Sequence, residues 1–311
     1  MSMDQEPAID GAVGGSAGIE IDWLYASPSF GITAWNCRTG CRGLSEEKAH
    51  HLWHAICFVH HGAFVLHSQG RSEVADRTTA ILYNPGVPYR SSHPFGCSDH
   101  GSALVVRREV LLDVMSHFDP TAQERPGALF PVALGPDISQ AYLRHRLLVR
   151  GLMQGAPADR SALEESLLAV LAGVARSSCR PVAKRAAAPE SPRARRRYVH
   201  DAQLILQERF RGPCRLEDVA RDLFVSPFHL CHLFRQEMGI PMHRYLNRLR
   251  LREALEQLAD GADLTDLALS LGFAGHSHFT TAFRKEFGLT PSQVRRQAST
   301  ALLAEMRKAI A

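Results

Sequence analysis

Short apolar runs, separated by turn residues, occupy the first third of the chain. Residues 56–59, 63–66 and 80–83 are apolar, and so are 103–106 after Ser102; segments that contain Gly or Pro interrupt these runs at short intervals. Runs of this length between such turns are typical of β-strands. The pattern from about residue 21 to residue 106 therefore predicts a β-sandwich or a small β-barrel.

Helical periodicity replaces this pattern after Arg107. We expect helices at about residues 109–118, 137–153 and 160–176. In the last of these, an apolar stripe is formed by Leu163, Leu167, Leu168 and Leu171. The stripe requires a partner surface, which is either the protein's own sheet or a second copy of the chain.

A segment without apolar periodicity separates two parts of different charge. Residues 177–197 contain three Pro and seven Lys or Arg, which predicts a linker. Residues 1–192 hold 17 Lys and Arg against 19 Asp and Glu, whereas residues 193–311 hold 19 against 13. The basic second part is therefore a candidate for binding a polyanion. We expect a flexible tail at 1–19, a first domain at 20–176, the linker, a second domain at 198–297 and a tail at 298–311.

An internal repeat with an offset of about 48 residues organises the basic part. Each copy begins with apolar residues at i, i+3, i+4 and i+7, the buried face of a short helix. These residues are Leu216, Val219, Ala220 and Leu223 in the first copy, and Leu264, Leu267, Ala268 and Leu271 in the second. A tight turn and a second amphipathic helix follow in both copies. Each copy thus has the pattern of a helix-turn-helix motif.

The second helices end in nearly identical sequences, FRQEMGIP at residues 234–241 and FRKEFGLTP at residues 283–291. Gly just past the last helical residue, with Pro shortly after it, is a strong helix stop. In the first copy, Ser226 and Pro227 fit the N-cap and the first helical position. A basic helix at 242–258 joins the copies, and it could hold two reading helices about one DNA turn, roughly 34 Å, apart.

Composition excludes several other classes of protein. Apolar residues make up 45% of the chain and charged residues 22%, values typical of a soluble globular protein. We expect no membrane span, because no apolar stretch approaches 18 residues. The first basic residue is Arg38, so the start lacks the basic region of a secretory signal. Seven Cys without a disulfide-scaffold spacing fit a reducing compartment, and we expect a cytoplasmic protein.

Residues 196–297 resemble the DNA-binding part of the AraC/XylS family of bacterial transcription regulators. The segment from Gly272-Phe273 through His278-Phe279-Thr280 to Pro291 is similar to the signature of that family. Val294 stands where the family often has an aromatic residue, and we expect this to affect only packing. The resemblance implies an α+β multi-domain fold. Its parts would be an N-terminal cupin-like β-barrel with a helical hairpin and a C-terminal all-α double helix-turn-helix domain.

The same resemblance implies a function. It predicts a sequence-specific transcription regulator, an activator in preference to a repressor, that a small-molecule effector controls through the N-terminal domain. The expected partners are double-stranded promoter DNA, RNA polymerase and a second copy of the chain as a homodimer. No membrane and no cofactor are expected. An enzyme is also not expected, because neither a catalytic constellation nor a phosphate-binding or dinucleotide-binding glycine motif is present.

The family's recognition helices carry over to defined positions of this chain. The residues expected to contact bases are Phe228, Cys231, His232, His276, Ser277, Thr280 and Thr281. None of them is an Arg or Gln able to make a bidentate contact, whereas Phe228 and the Thr methyl groups suit a thymine methyl. Phosphate contacts, which position the protein without reading sequence, are expected from Arg235, Arg244, Arg248, Arg252, Arg284 and Lys285. The linker arginines Arg193, Arg195, Arg196 and Arg197 could add nonspecific affinity.

The first domain offers weaker candidates for a sensing site. An effector pocket could be lined by Trp35, Trp53, Tyr83 and His93. A metal or thiol site could use Cys37, Cys41, Cys57, Cys97 and His100, although structural zinc sites usually show tighter CxxC pairs.

Three alternatives to effector control stay open at this point. The first is a regulator that responds to a metal or to thiol chemistry. The second is a cupin-like enzyme fused to a DNA-binding domain, which the missing His-pair-and-Glu metal pattern disfavours. The third is a pure protein-interaction module that dimerises through Leu163, Leu167 and Leu171.

Overall fold

The computed structural model describes residues 19–37, 51–96, 98–125, 127–135, 138–155, 160–179, 191–258 and 262–299. These residues form a sheet-rich unit before residue 181 and a helical unit from there to Arg295. The predicted terminal tails lie almost wholly outside the described residues. Ser191 caps a helix that begins at Pro192, so the last part of the segment expected to be a linker is helical.

Within the described part of the first unit, nine strands form two antiparallel sheets. The strands are β1 (Ile19–Ala26), β2 (Phe30–Cys37), β3 (His54–His61), β4 (Ala63–Ser68), β5 (Arg71–Asp76), β6 (Ala80–Tyr83), β7 (Tyr89–Ser92), β8 (His100–Val106) and β9 (Leu134–Gly135). The larger sheet has the order β1-β2-β8-β3-β6-β9, and the smaller has the order β5-β4-β7. Strand pairing among the described residues closes no barrel, so the unit is sheet-rich and the cupin-like barrel stays a prediction.

The two faces of the larger sheet bury different side chains because successive residues of a strand point to opposite faces. Cys57 and Val59 of β3 pack in one cluster with Phe64 and Leu66 of β4, which joins the two sheets face to face. Phe58 points to the other face, where its ring lies 4.5 Å from that of His145 on a helix. The larger sheet is therefore buried between the smaller sheet and helices.

The described residues of the first unit also form the α-helices α1 (Arg108–Ser116), α2 (Ser139–Met153) and α3 (Arg160–Ser178). Their bounds agree closely with the helical periodicity of the sequence. Leu163, Leu167 and Leu171 of α3 are almost completely buried within the chain, whereas Leu168 is 40% exposed. The alternative in which these three buried leucines form a dimer seam is therefore wrong, because they already pack in the core of their own unit.

The described residues of the second unit form seven helices. They are α4 (Pro192–Arg209), α5 (Leu216–Asp222), α6 (Pro227–Met238), α7 (Met242–Leu258), α8 (Leu264–Ser270), α9 (His276–Phe287) and α10 (Pro291–Ser299). The repeat appears as α5–α6 and α8–α9, with the longer helices α4 and α7 packed against them. Leu230 and Phe234 of α6 are buried, as are Phe279 and Phe283 at the matching places of α9.

The helix ends agree with the sequence expectations. The Ser226 hydroxyl accepts a hydrogen bond from the His229 amide at 3.2 Å, and Pro227 follows it as the first residue of α6. Gly239 and Gly288 end α6 and α9 with φ of 71° and 81°. Only glycine adopts this left-handed conformation at little cost, which explains the repeated Gly of the two similar sequences. Val294 is buried in α10, consistent with the expected packing role.

Candidate functional site

Each second helix of the repeat turns one face to the domain core and the other to solvent. Six of the seven residues expected to contact bases are exposed on α6 or α9, and Thr280 is half-buried. The exposed residues are Phe228, Cys231, His232, His276, Ser277 and Thr281. The structure therefore gathers the candidates on two solvent-facing helix surfaces, one in each copy.

Hydrogen bonds orient two of the exposed histidines. The Nε2 atoms of Gln236 and His232 lie 2.9 Å apart, one helical turn from each other on α6. Because an amide nitrogen only donates, the ring of His232 accepts at Nε2 and carries its proton at Nδ1. In the second copy, Thr280 Oγ1 lies 3.5 Å from His276 Nε2. His232 thus presents a fixed N–H donor, which suits an acceptor on a base edge.

Four of the six expected phosphate-contacting cations are also exposed. These are Arg235, Arg244, Arg284 and Lys285. Arg235 lies in the last turn of α6, and Arg284 and Lys285 lie in that of α9. Their positions beside the exposed helix faces fit charges that would meet the DNA backbone.

The other two cations, Arg248 and Arg252, are turned into the domain. The Arg248 Nε atom forms a buried ion pair with Glu286 Oε1 of α9 at 2.8 Å. Arg252 is fully buried, and its guanidinium carbon lies 5.1 Å from the centre of the Phe287 ring. This burial does not fit the expected phosphate role, because both side chains support α9 from within. Equal spacing of Arg244, Arg248 and Arg252 along α7 could not distinguish a solvent face from a face covered by another helix.

Sequence reasoning missed Arg250, whose guanidinium group binds three backbone carbonyl groups. It donates to Phe210 O at 2.9 Å and to Gly212 O at 2.9 Å, both just before α5. It also donates to Gly272 O at 3.1 Å, in the turn of the second copy. Burial lowers the pKa of this arginine. A single side chain of α7 thus links the two copies. In the sequence, the only indication of this role was the position of Arg250 on the helix that joins the copies.

In the first unit, three of the four candidates for an effector pocket meet between the two sheets. Trp35 and Tyr83 pack against the cluster that contains Cys57 and Phe64. The His93 ring lies 5.6 Å from that of Phe64. Trp53 is elsewhere, packed with Val105 and Trp23. The structure therefore supports an aromatic core that includes Trp35, Tyr83 and His93, and it places Trp53 outside this core.

Two further aromatic residues of this core were not singled out from the sequence. The ring of Tyr89 lies 4.7 Å from that of Tyr83, and the His51 ring lies 4.0 Å from Tyr83. The indole nitrogen of Trp35 is buried and lacks a hydrogen-bond partner among the described residues. A buried donor without a partner is unfavourable, so this atom is suited to an acceptor supplied by a ligand.

The opposite face of the larger sheet buries a polar network. Ser102 Oγ lies 3.0 Å from His60 Nε2 and 2.8 Å from His145 Nε2. Burial lowers the pKa of His145 to about 3, and burial together with the Arg146 charge lowers the pKa of His60. Both imidazoles are therefore neutral at physiological pH. This network links β3 and β8 to α2.

The metal candidates that lie among the described residues are not gathered into a binding site. Among the described residues, no group of three or more His, Cys, Asp or Glu is placed to hold a metal ion. Cys41 and Cys97 lie outside the described residues. Cys37 and His100 lie near one end of the larger sheet, while Cys57 is buried within β3. Burial raises the pKa of the Cys57 thiol to about 12, which disfavours the reactive thiolate that a thiol sensor needs.

In the part of the chain that the structure describes, no helix combines the length and the apolar character needed to cross a bilayer.

Comparisons with known proteins match the helical unit. Residues 219–297 match the family described as helix-turn-helix domain. The chain is 37% identical over 98 residues to the HTH-type transcriptional activator RhaS of Escherichia fergusonii, a match that covers 31% of this chain and 35% of RhaS. The chain thus spans about a third of the length of the curated relatives it matches.

Solved structures give two further likenesses. A transcriptional regulator of Chromobacterium violaceum, described as containing an AraC-type DNA-binding domain, is 26% identical. That match covers 35% of this chain and 97% of the regulator, with a TM-score of 0.33. ToxT of Vibrio cholerae is 12% identical, with 86% of this chain and 97% of ToxT covered and a TM-score of 0.36. The helical part of this chain is therefore similar to the helix-turn-helix part of transcriptional activators such as RhaS.

Proposed function

We propose that the protein is a sequence-specific DNA-binding transcription activator whose N-terminal unit responds to a small molecule. The observation that carries this proposal is the pair of helices α6 and α9, each with a buried apolar face and an exposed polar face. Exposed cations lie in the last turn of both helices. The matched relatives are transcriptional activators, which supports activation as the sign of regulation.

In the proposed complex, α6 and α9 enter the major groove of promoter DNA. Base edges would meet Phe228, Cys231 and His232 in the first copy. In the second copy they would meet His276, Ser277, Thr280 and Thr281. Arg235, Arg244, Arg284 and Lys285 would contact phosphates and set the register of both helices. Arg248 and Arg252 are not part of this set, because they support α9 from inside the domain.

The effector would bind in the aromatic core between the two sheets, which in this proposal corresponds to the interior of a cupin-like barrel. Trp35, Tyr83 and Tyr89 supply apolar ring surface, and the buried Trp35 N–H supplies a donor. A pocket of rings with a small number of polar groups is typical of small-molecule sites. The proposal retains a homodimer and a contact with RNA polymerase as predictions from the family resemblance.

Selection of bound sequences from random duplex DNA, with the purified full chain, tests the proposal. We expect enrichment of a recurring asymmetric site, and genomic fragments that carry this site should lie near promoters. Affinity should fall steeply with salt for all duplexes, while the preference for the enriched site persists. Salt-sensitive binding without any shared site, in the absence and presence of cell extract, would contradict sequence-specific regulation.

A further inference from the structure

The turn between α5 and α6 holds a phenylalanine in an unusual conformation. Phe224 has φ of 56°, in the left-handed region that bulky side chains rarely adopt. Its amide donates to Arg221 O at 3.1 Å, and the next amide, of Val225, donates to Ala220 O at 3.0 Å. This pair of hydrogen bonds is the helix stop in which glycine is the favoured residue. Phe224 therefore occupies a glycine position.

The second copy has the same turn with the expected residue. Gly272 has φ of 74°, and its amide and that of Phe273 make the equivalent hydrogen bonds to Leu269 O and Ala268 O. A Cβ atom on Gly272 would lie 2.8 Å from the Arg250 guanidinium, so the second copy has no room for a side chain. The first copy differs from the second because it places a large aromatic residue where its own turn would favour glycine.

Packing does not explain the presence of Phe224. Its side chain is 95% exposed, so burial contributes almost nothing that could offset the unfavourable backbone conformation. A strained residue that the fold does not need is a reason to look for a function in binding. Phe228, four residues later in the first turn of α6, is also 83% exposed. In sequence, Phe224 and Phe228 lie two residues before and two residues after Ser226, the N-cap of the proposed recognition helix.

We propose that Phe224 is a specificity-determining residue that contacts a thymine methyl group of the DNA next to the base pairs read by α6. This proposal rests on the proposed DNA-binding function and extends it to a residue outside the recognition helix. The major groove offers one apolar group, the thymine methyl, and aromatic side chains contact it. Phe224 and Phe228 provide exposed apolar surface just before α6 and in its first turn. The α6 residues expected to contact bases, Phe228, Cys231 and His232, include no Arg or Gln suited to bidentate base contacts.

Replacement of thymine by uracil removes only the methyl group and gives a direct test. The binding site is first selected with the full wild-type chain, and each thymine is then replaced in turn by uracil. Affinities are measured for the wild type and for Phe224→Gly, which suits the left-handed turn. We expect about a fourfold loss for the wild type at the contacted thymine, the size expected for one buried methyl group. Phe224→Gly should bind the thymine and uracil sites equally at that position.

Two further variants separate this contact from general effects. Phe224→Asn keeps a residue that tolerates the left-handed region and should lose the same discrimination. Leu269→Ala removes an exposed apolar side chain from α8, outside both proposed recognition helices. This variant should keep the wild-type discrimination between thymine and uracil. If Phe224→Gly melts at or above the wild-type temperature yet retains every wild-type thymine preference, the contact is wrong and the proposed function stands. If the wild type enriches no sequence at all, the proposed function fails and the contact fails with it.

Discussion

Arg248 of α7 and Glu286 of α9 form a buried ion pair at 2.8 Å, between Nε and Oε1. The first copy contains a corresponding pair, Arg195 of α4 and Glu237 of α6, at 3.5 Å. Both glutamates occupy the same place in the two similar helix endings. Each copy therefore ties the last part of its proposed recognition helix to a supporting helix. The repeat comprises three helices, α4–α6 and α7–α9, in place of the two seen in the sequence.

Arg248→Ala should destabilise the helical unit and leave the salt dependence of DNA binding unchanged. Loss of Arg248 removes a charge partner of the buried Glu286, for which about 3–5 kcal/mol of unfolding free energy is expected. Denaturant unfolding and the slope of log affinity against log salt measure the two effects. The double variant Arg248→Met with Glu286→Leu should recover much of the stability. If Arg248→Ala is as stable as the wild type and has a reduced salt slope, Arg248 contacts a DNA phosphate and its structural role is wrong.

Arg244→Ala should leave stability nearly unchanged and reduce the salt dependence of DNA binding. Arg244 is exposed near the start of α7, so its loss should change stability by less than about 0.5 kcal/mol. If it neutralises one phosphate, the slope of log affinity against log salt should fall by about one, equally for all sequences. An unchanged slope would remove Arg244 from the proposed contact set.

His232→Ala should alter sequence preference at one or two base pairs, because the exposed ring is oriented by Gln236 and keeps Nδ1 as its donor. Competition binding with a set of single-base variants of the selected site measures the change, expected at about 1–3 kcal/mol for the affected pair. His243→Ala removes an exposed histidine of α7 and serves as the matched control. An equal loss of affinity for every site variant would show that His232 is not a base reader.

Gly272→Ala should be more destabilising than Gly239→Ala. Both glycines have similar positive φ values, 74° and 71°, so the conformational strain of about 1–2 kcal/mol is shared. Only at Gly272 would the new Cβ atom meet Arg250, whereas at Gly239 nothing lies within 4 Å. Thermal unfolding of the two variants isolates the contribution of this clash. Equal melting temperatures would mean that Arg250 moves aside without loss.

Stability should decrease as the pH falls below about 6.5, because the buried histidines resist protonation. Burial lowers the pKa of His54 to about 4 and that of His145 to about 3, and the pKa of His60 is also lowered. In the unfolded chain these groups bind protons below about pH 6.5. The unfolded state then binds more protons than the folded state, so acid favours unfolding and the full stability is present only above this pH.

Denaturant unfolding between pH 7.5 and 4.5 measures this effect. Each such histidine should contribute a slope of about 1.4 kcal/mol per pH unit below its unfolded-state pKa. His145→Gln removes one titrating group from the network with Ser102, so its slope should be smaller by about that amount. The slope, and not the absolute stability, is the readout, because Gln also changes packing. Identical slopes for the two proteins would contradict the assignment.

The sequence predicted local features well and long-range ones poorly. Helical spacing, the Ser226 cap and the glycine helix stops at Gly239 and Gly288 depend on neighbouring residues, and the structure contains all of them. The burial of Arg248 depends on α9 lying across α7, which the regular spacing of basic residues does not report. Closure of a barrel likewise depends on pairing between distant strands, and the inward direction of Trp35 depends on strand register.

The three carbonyl groups held by Arg250 prevent the two copies from turning independently of each other. For a protein that reads DNA with both copies, this rigidity makes the interval between the two contacted segments as important as their bases. A base change within one segment weakens one contact, whereas an inserted base pair shifts a whole segment along and around the double helix. Under the proposed function, the promoters of this protein should therefore vary by substitution and conserve their internal length.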